Sequence, residues 1–233
     1  MEHRYGRTVL FDLVLPTRCV VCRRGGPQLC DACARGLRRL PGPRCARCGA
    51  PTAWPVAACR ECSGRRLAFA QARSAVVYDA AARAAVLAWK ERGLRRLTAA
   101  FAAVVVDALE APELDLTYVA ADRERRRERG HDPPRALARE LGKLWGRDVL
   151  PLLTRNGRSA PQRAQTLAAR RANVRGVFAA ARSPPAIVLV DDVYTSGATV
   201  NAAASALRRA GARRVEVVTF ARAVRGYMVS SQA

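Results

Sequence analysis

The spacing of apolar positions changes along the chain, and each change marks an element. Ala186–Val190 (AIVLV) is an unbroken, β-branched apolar run, which predicts a strand buried on both faces. Ala198–Ala210 follows with helical spacing and stops at Gly211, a residue suited to the left-handed position past a helix end. Val215–Phe220 (VEVVTF) predicts the next strand. Upstream, Ala75–Tyr78 (AVVY) and Leu116–Ala121 (LTYVAA) predict two shorter strands. Asp79–Arg92 and Arg95–Glu110 predict helices parted by Gly93, and Asp132–Trp145 predicts a helix opened by Asp132-Pro133-Pro134 and closed near Gly146. Strand, helix, strand in this rhythm implies a parallel α/β sheet. Residues beyond about Arg222 read as a frayed tail, with 226–233 outside the folded body.

Before Ala75 the periodicity gives way to cysteine. All eight cysteines fall between Cys19 and Cys62, in four C-x-x-C pairs: Cys19/Cys22, Cys30/Cys33, Cys45/Cys48 and Cys59/Cys62. Two such pairs supply four thiolates, the tetrahedral set that zinc prefers, so four pairs make two structural sites. Gly49 and Gly64 suit the tight turns this requires. Sequential pairing puts Cys19, Cys22, Cys30 and Cys33 on one ion and Cys45, Cys48, Cys59 and Cys62 on the other; interleaved pairing is the alternative. Iron–sulfur clusters use the same four thiolates, and spacing alone does not separate the two. Disulfides fit less well, because no export signal is visible, and a redox C-x-x-C calls for one pair at a helix start. The first 66 residues thus read as a double zinc ribbon, with an α/β domain over 67–225.

Thr8–Pro16 (TVLFDLVLP) is too short to span a bilayer and contains Asp12, so it reads as a short apolar helix docked on the body. A cytoplasmic setting, where thiols stay reduced, is the expectation. Lys plus Arg minus Asp plus Glu is 41 − 19 = +22. Such a charge draws polyanions, single-stranded DNA among them. Lys90 and Lys143 are the only lysines, however, and arginine with abundant alanine is also what a GC-rich coding sequence yields. Both readings stand. His3 and His131 are the only histidines, which argues against a histidine-based triad.

The most specific stretch is Ile187–Thr199 (IVLVDDVYTSGAT). Asp191 and Asp192 follow a buried strand, at the sheet's carboxyl end, where open α/β folds bind ligands. Adjacent carboxylates can accept hydrogen bonds from a pair of sugar hydroxyls, directly or beside Mg²⁺. Val193, Tyr194, Thr195, Ser196, Gly197, Ala198 and Thr199 then turn into a helix, where backbone N–H groups, hydroxyls and the helix dipole can hold a phosphate.

This run resembles the phosphoribosyl-pyrophosphate (PRPP) fingerprint of type I phosphoribosyltransferases. The resemblance implies that Asp191 and Asp192 hold the ribose hydroxyls and Thr195–Thr199 the 5′-phosphate, with Ser196 where the family usually has threonine. The cysteine pairs, the Trp89-Lys90 step, the arginines before Arg129-Gly130 and the PRPP loop together are similar to the ComF family, late competence proteins linked to DNA uptake. That resemblance implies a pyrophosphate loop at Ala121, Asp122, Arg123 and Arg129, and a closing segment marked by Gln162, Arg170, Asn173 and Phe178. The family's Pro-Val-Pro is replaced here by Val119-Ala120-Ala121, and its Arg-Gly-Phe-Asn-Gln by Arg129-Gly130-His131-Asp132-Pro133. Arg123, Arg125, Arg126, Arg127 and Arg129 either neutralise pyrophosphate or, with Glu124 and Glu128 between them, form a solvated helix face. Lys90 reads first as a cation at a helix end near Gly93. Three roles remain open: PRPP-dependent ribosyl transfer with Mg²⁺, a non-catalytic DNA-handling or PRPP-sensing factor in the DNA-uptake machinery, and a degenerate relative that docks partners through its zinc module.

Overall fold

The computed structural model describes residues 17–122, 124, 127, 130–155 and 177–224. The N-terminal apolar run, Arg123, Arg129, Gln162, Arg170, Asn173 and the tail lie outside the described residues. A four-stranded sheet forms the centre: β1 (Gln71–Val77), β2 (Leu116–Tyr118), β5 (Ala186–Tyr194) and β6 (Arg214–Arg222), in the order β1-β6-β5-β2. All three pairings are parallel. β3 (Thr154–Arg155) and β4 (Phe178–Ala179) form a small antiparallel pair.

Side chains on β5 divide the interior. Val188 and Val190 join one apolar cluster; Ile187 and Leu189 join another. Helices α2 (Ala80–Glu91), α3 (Leu97–Ala108) and α4 (Pro133–Trp145) cover the first face, and α5 (Ala198–Arg209) the second. The continuous run of β5 is thus explained by two covered faces. α4 keeps its predicted caps: Asp132 accepts a hydrogen bond from Arg135 N–H, and Gly146 sits at φ 64°. Trp89, fully buried, ties α2 to α3 by donating from Nε1 to Thr98 Oγ1 at 2.9 Å and packing edge-on to Phe101. Phe101 in turn stacks on Phe220 of β6 at 4.0 Å. These contacts fix the end of α2 above the sheet.

The cysteine-rich region is built into this core. One short helix, α1 (Asp31–Gly36), lies within it. Its chain covers the free edge of β1: Val77 N–H donates to the Arg38 carbonyl at 2.8 Å and Ala72 N–H to the Arg47 carbonyl at 2.9 Å. An exposed strand edge is thereby closed. Gly49 is required there, because a Cβ would strike the Ala72 carbonyl and its φ is 71°.

Three strands are longer than their apolar patterns predict: β6 spans Arg214–Arg222 rather than Val215–Phe220, and β1 and β5 extend as well. β1 begins at Gln71 rather than Ala75, with Gln71–Ser74 laddered to Glu216–Thr219. β5 runs through Tyr194, so the acid pair lies within the last residues of the strand rather than after it. Pairing with the neighbouring strand β6 extends both, a tertiary effect that polarity along one chain does not carry. Arg222, the last residue before the predicted tail, closes β6 and is 1% exposed.

Candidate functional site

The cysteines fall into two tetrads, Cys19/Cys22/Cys30/Cys33 and Cys45/Cys48/Cys59/Cys62, each with all four sulfurs within 4.8 Å of one another. A tetrahedral ion with Zn–S bonds near 2.3 Å needs sulfurs about 3.8 Å apart. The observed spacings are 3.8 Å for Cys22–Cys30, 3.6 Å for Cys45–Cys62, 3.5 Å for Cys48–Cys59 and 3.9 Å for Cys59–Cys62. Both donor sets fit structural zinc. Backbone amides favour the thiolate at one cysteine of each tetrad, while burial pushes the Cys33, Cys48 and Cys62 thiols up. Burial opposes ionisation at Cys19, yet the N–H groups of Cys22, Cys30 and Val21 outweigh it and hold its thiol at about 6. Cys45 is likewise lowered to about 7, against its burial, by the amides of Cys48 and Arg47.

The second candidate site lies at the carboxyl end of the sheet. Asp191 and Asp192 are 6% and 8% exposed. Each closes on the next amide: Asp192 N–H donates to Asp191 Oδ1 at 2.9 Å, and Val193 N–H to Asp192 Oδ1 at 2.6 Å. Across this pair the alternation of β5 inverts, so that Val193 packs on the first cluster and Tyr194 enters the second. Lys90, at the end of α2, forms an ion pair with Asp192 Oδ2. Burial works against its ammonium, but the Asp192 and Asp191 carboxylates outweigh it and raise its pKa. Asp191 is raised to about 8, first by burial and then by the neighbouring Asp192 charge. Lys90 is therefore a member of the acid site and not a free helix-end cation. Its isolation in an arginine-rich chain and the Trp89-Lys90 step were its traces in the sequence; its partner is set by how α2 sits on the sheet.

After Tyr194 the chain turns into α5. Gly197 is the N-cap at φ 71° and carries no side chain to accept from the first-turn amides. Ser196 Oγ is the nearest acceptor, a long 3.4 Å from Ala198 N–H. The helix start thus keeps donors for an anion. Thr195 is exposed and Ser196, Ala198 and Thr199 are half-buried, so three hydroxyls border the same turn. Gly197 packs onto the Tyr194 ring and hydroxyl, leaving no room for a Cβ. Arg65 Nη2 holds the Ser196 carbonyl from the cysteine-rich side at 3.0 Å.

Ala121 and Asp122 follow β2, whose Tyr118 pairs with Val190, so they stand beside the acid pair at the same sheet end. Asp122 Oδ1 accepts from Glu124 N–H at 3.0 Å. Arg127, His131, Arg135 and Arg139 line a groove of about 570 Å³ at the start of α4.

A model of the double zinc ribbon domain matches residues 10–63, and a model of the phosphoribosyl transferase domain matches residues 185–232. The chain joins a double zinc ribbon to a phosphoribosyltransferase domain. The second match takes in β5, the acid pair, the turn, α5 and β6. Among solved structures, TT1426 from Thermus thermophilus is 20% identical over 58% of this chain and 86% of its own, with a TM-score of 0.33. No curated protein matches the chain. No helix among the described residues is long and apolar enough to cross a membrane.

Proposed function

We propose that this phosphoribosyltransferase-like protein binds PRPP at the carboxyl end of β5, and that it acts as a ComF-type factor of DNA uptake in the cytoplasm. One observation carries the reading. Two buried carboxylates sit at the tip of a central strand, and the next turn is a glycine-capped helix start bordered by three hydroxyls. The acid pair accepts the ribose 2′- and 3′-hydroxyls, and the Thr195–Thr199 turn takes the 5′-phosphate. Magnesium, when bound, offsets the pyrophosphate charge, with Asp191 and Asp192 the carboxylates available to it. Lys90 supplies a cation to the acid pair and must give way, or turn, as sugar hydroxyls enter. Ala121 and Asp122 border the place where pyrophosphate would leave.

Ribosyl transfer would break the bond between the anomeric carbon and pyrophosphate as an acceptor attacks that carbon. The residues here position the sugar and screen charge; none stands out as a general base. Labelled PRPP offered with mixed nucleobases tests turnover: pyrophosphate release that is lost in Asp191→Ala/Asp192→Ala supports transfer. Release that survives in that variant counts against it.

The arginine-lined groove at α4 favours a second reading, a DNA-handling protein that holds single strands without turnover. Its affinity for an oligonucleotide should then fall steeply with salt. A flat salt response removes that reading.

A further inference from the structure

Arg222 is a buried cation at the end of β6, and its partners come from two distant parts of the chain. A buried guanidinium calls for a paired charge and hydrogen-bond acceptors, which here meet both Nη atoms. Nη1 donates to the Cys48 carbonyl at 2.6 Å, and Nη2 pairs with Glu61 Oε2 at 2.8 Å. Nη2 also lies 3.7 Å from Cys48 Sγ. The guanidinium carbon stands 4.3 Å from the centre of the Tyr194 ring. Cys48 is a member of the second tetrad, and Glu61 precedes its last cysteine. Tyr194 is the residue on which Gly197 rests.

The strand ladder reinforces this contact. Tyr194 lies opposite Arg222 in the β5–β6 register, and Ala223 N–H donates to the Tyr194 carbonyl at 2.9 Å. Two further bonds cross the same boundary: Arg65 to the Ser196 carbonyl at 3.0 Å, and Ala68 N–H to Asn201 Oδ1 at 2.7 Å. The turn between β5 and α5 therefore rests on the second tetrad, with Arg222 as the most buried link.

We propose that Arg222 is a positioning residue for the Thr195–Thr199 turn, and that through it the metal state of the Cys45/Cys48/Cys59/Cys62 tetrad sets the affinity of that turn for a sugar phosphate. The inference rests on the reading of the turn as a phosphate site. A metal held by four thiolates fixes the Cys48 carbonyl and sulfur, which in turn orient the guanidinium. The guanidinium holds Tyr194 beneath Gly197. Without the metal the Cys45–Cys62 segment loses the cross-link that orders it, and the chain of contacts loosens from that end.

A cycle of four proteins tests this: wild type, Arg222→Met, Cys59→Ser and the double variant. The probe is ribose 5-phosphate, with zinc content and thermal unfolding measured alongside. Arg222→Met should keep both metals yet bind about 10-fold more weakly. Cys59→Ser should lose one metal and weaken binding by a similar factor. The double variant should be no weaker than the worse single one, because both changes break one path. Arg222→Lys keeps the charge without the planar fork and should recover part of the affinity. Wild-type affinity in Arg222→Met, or losses that multiply in the double variant, would overturn the proposal. Absence of binding by the wild type would instead sink the phosphate reading itself. Should Arg222→Met fail to fold, Glu61→Gln replaces it: about 3-fold weaker binding at unchanged zinc supports the link, and unchanged affinity overturns it.

Discussion

The two cysteine tetrads have the same ligands and similar spacing, yet they sit in different surroundings. Cys19 of the first tetrad packs with Val20, Leu29 and Leu37 in the cluster under α2, α3 and α4. Its side-chain ion pair to the body joins Arg39 to Asp107 on α3 at 2.7 Å, with Asp107 largely in solvent, beside the backbone bond from Val77 N–H to the Arg38 carbonyl. The second tetrad contributes Cys45, Cys48 and Cys62 to the cluster that holds Tyr194, Val200 and α5. It also reaches the turn through Arg222 and Arg65. One ribbon acts as an apolar brace on the helical face; the other is a floor under the candidate phosphate site. The same metal chemistry can thus serve stability alone or stability and ligand geometry together, depending on which strand tips its neighbours touch.

Breaking each tetrad should separate these roles with the largest effect. Cys62→Ser should cost one zinc and lower PRPP affinity by about 10-fold or more. Cys22→Ser should also cost one zinc, lowering thermal stability with a change in affinity of about 2-fold at most. These magnitudes follow from loss of a structural metal that orders its surroundings. Equal losses of affinity in the two variants would erase the distinction.

A glycine in each region gives the next test. Gly197→Ala places a Cβ against the Tyr194 ring at positive φ and should cost about 1–2 kcal/mol before any rearrangement, with weaker ligand binding. Gly25→Ala in the first ribbon meets no atom within 4 Å and should leave both stability and binding near wild type.

The pH dependence of ligand binding should arise at the sheet tip. Asp191 is ionised in the unfolded chain above about pH 4 but holds its proton up to about 8 in the folded one. Its contribution to stability is therefore complete below about pH 4 and is lost as pH rises toward 8. The ionised form is the one that accepts sugar hydroxyls, so PRPP affinity should tighten over that range. Titration at several pH values checks this, and Asp191→Asn should flatten the slope. The smallest effect belongs to the exposed ion pair: Arg39→Ala should change stability by less than about 1 kcal/mol, read from the thermal midpoint.

Much of this arrangement was legible in the sequence where the information is local. Sequential C-x-x-C pairs can close on one ion within a short segment, and the tetrads follow that order. The caps of α4 at Asp132 and Gly146 are short-range features, as is the strand–turn–helix around Gly197. What escaped is long-range. Gln71–Ser74 do not look like a strand alone, because their ladder to β6 makes them one. Lys90 reads as a helix-end cation until α2 is placed over Asp192. Arg222 sits two residues past the predicted strand, at the border of the predicted tail, and nothing in its neighbours along the sequence announces Cys48, Glu61 and Tyr194 around it. The proposed pyrophosphate arginines 123 and 129, with Gln162, Arg170 and Asn173, fall outside the described residues.

Calorimetric titration of PRPP with Mg²⁺ into the wild type and into Asp191→Ala/Asp192→Ala tests the central claim most directly. Two lost charge-assisted acceptors should weaken binding by about 100-fold or more, with both zinc ions retained. Equal affinity in the two proteins, or no heat of binding to the wild type, would contradict it.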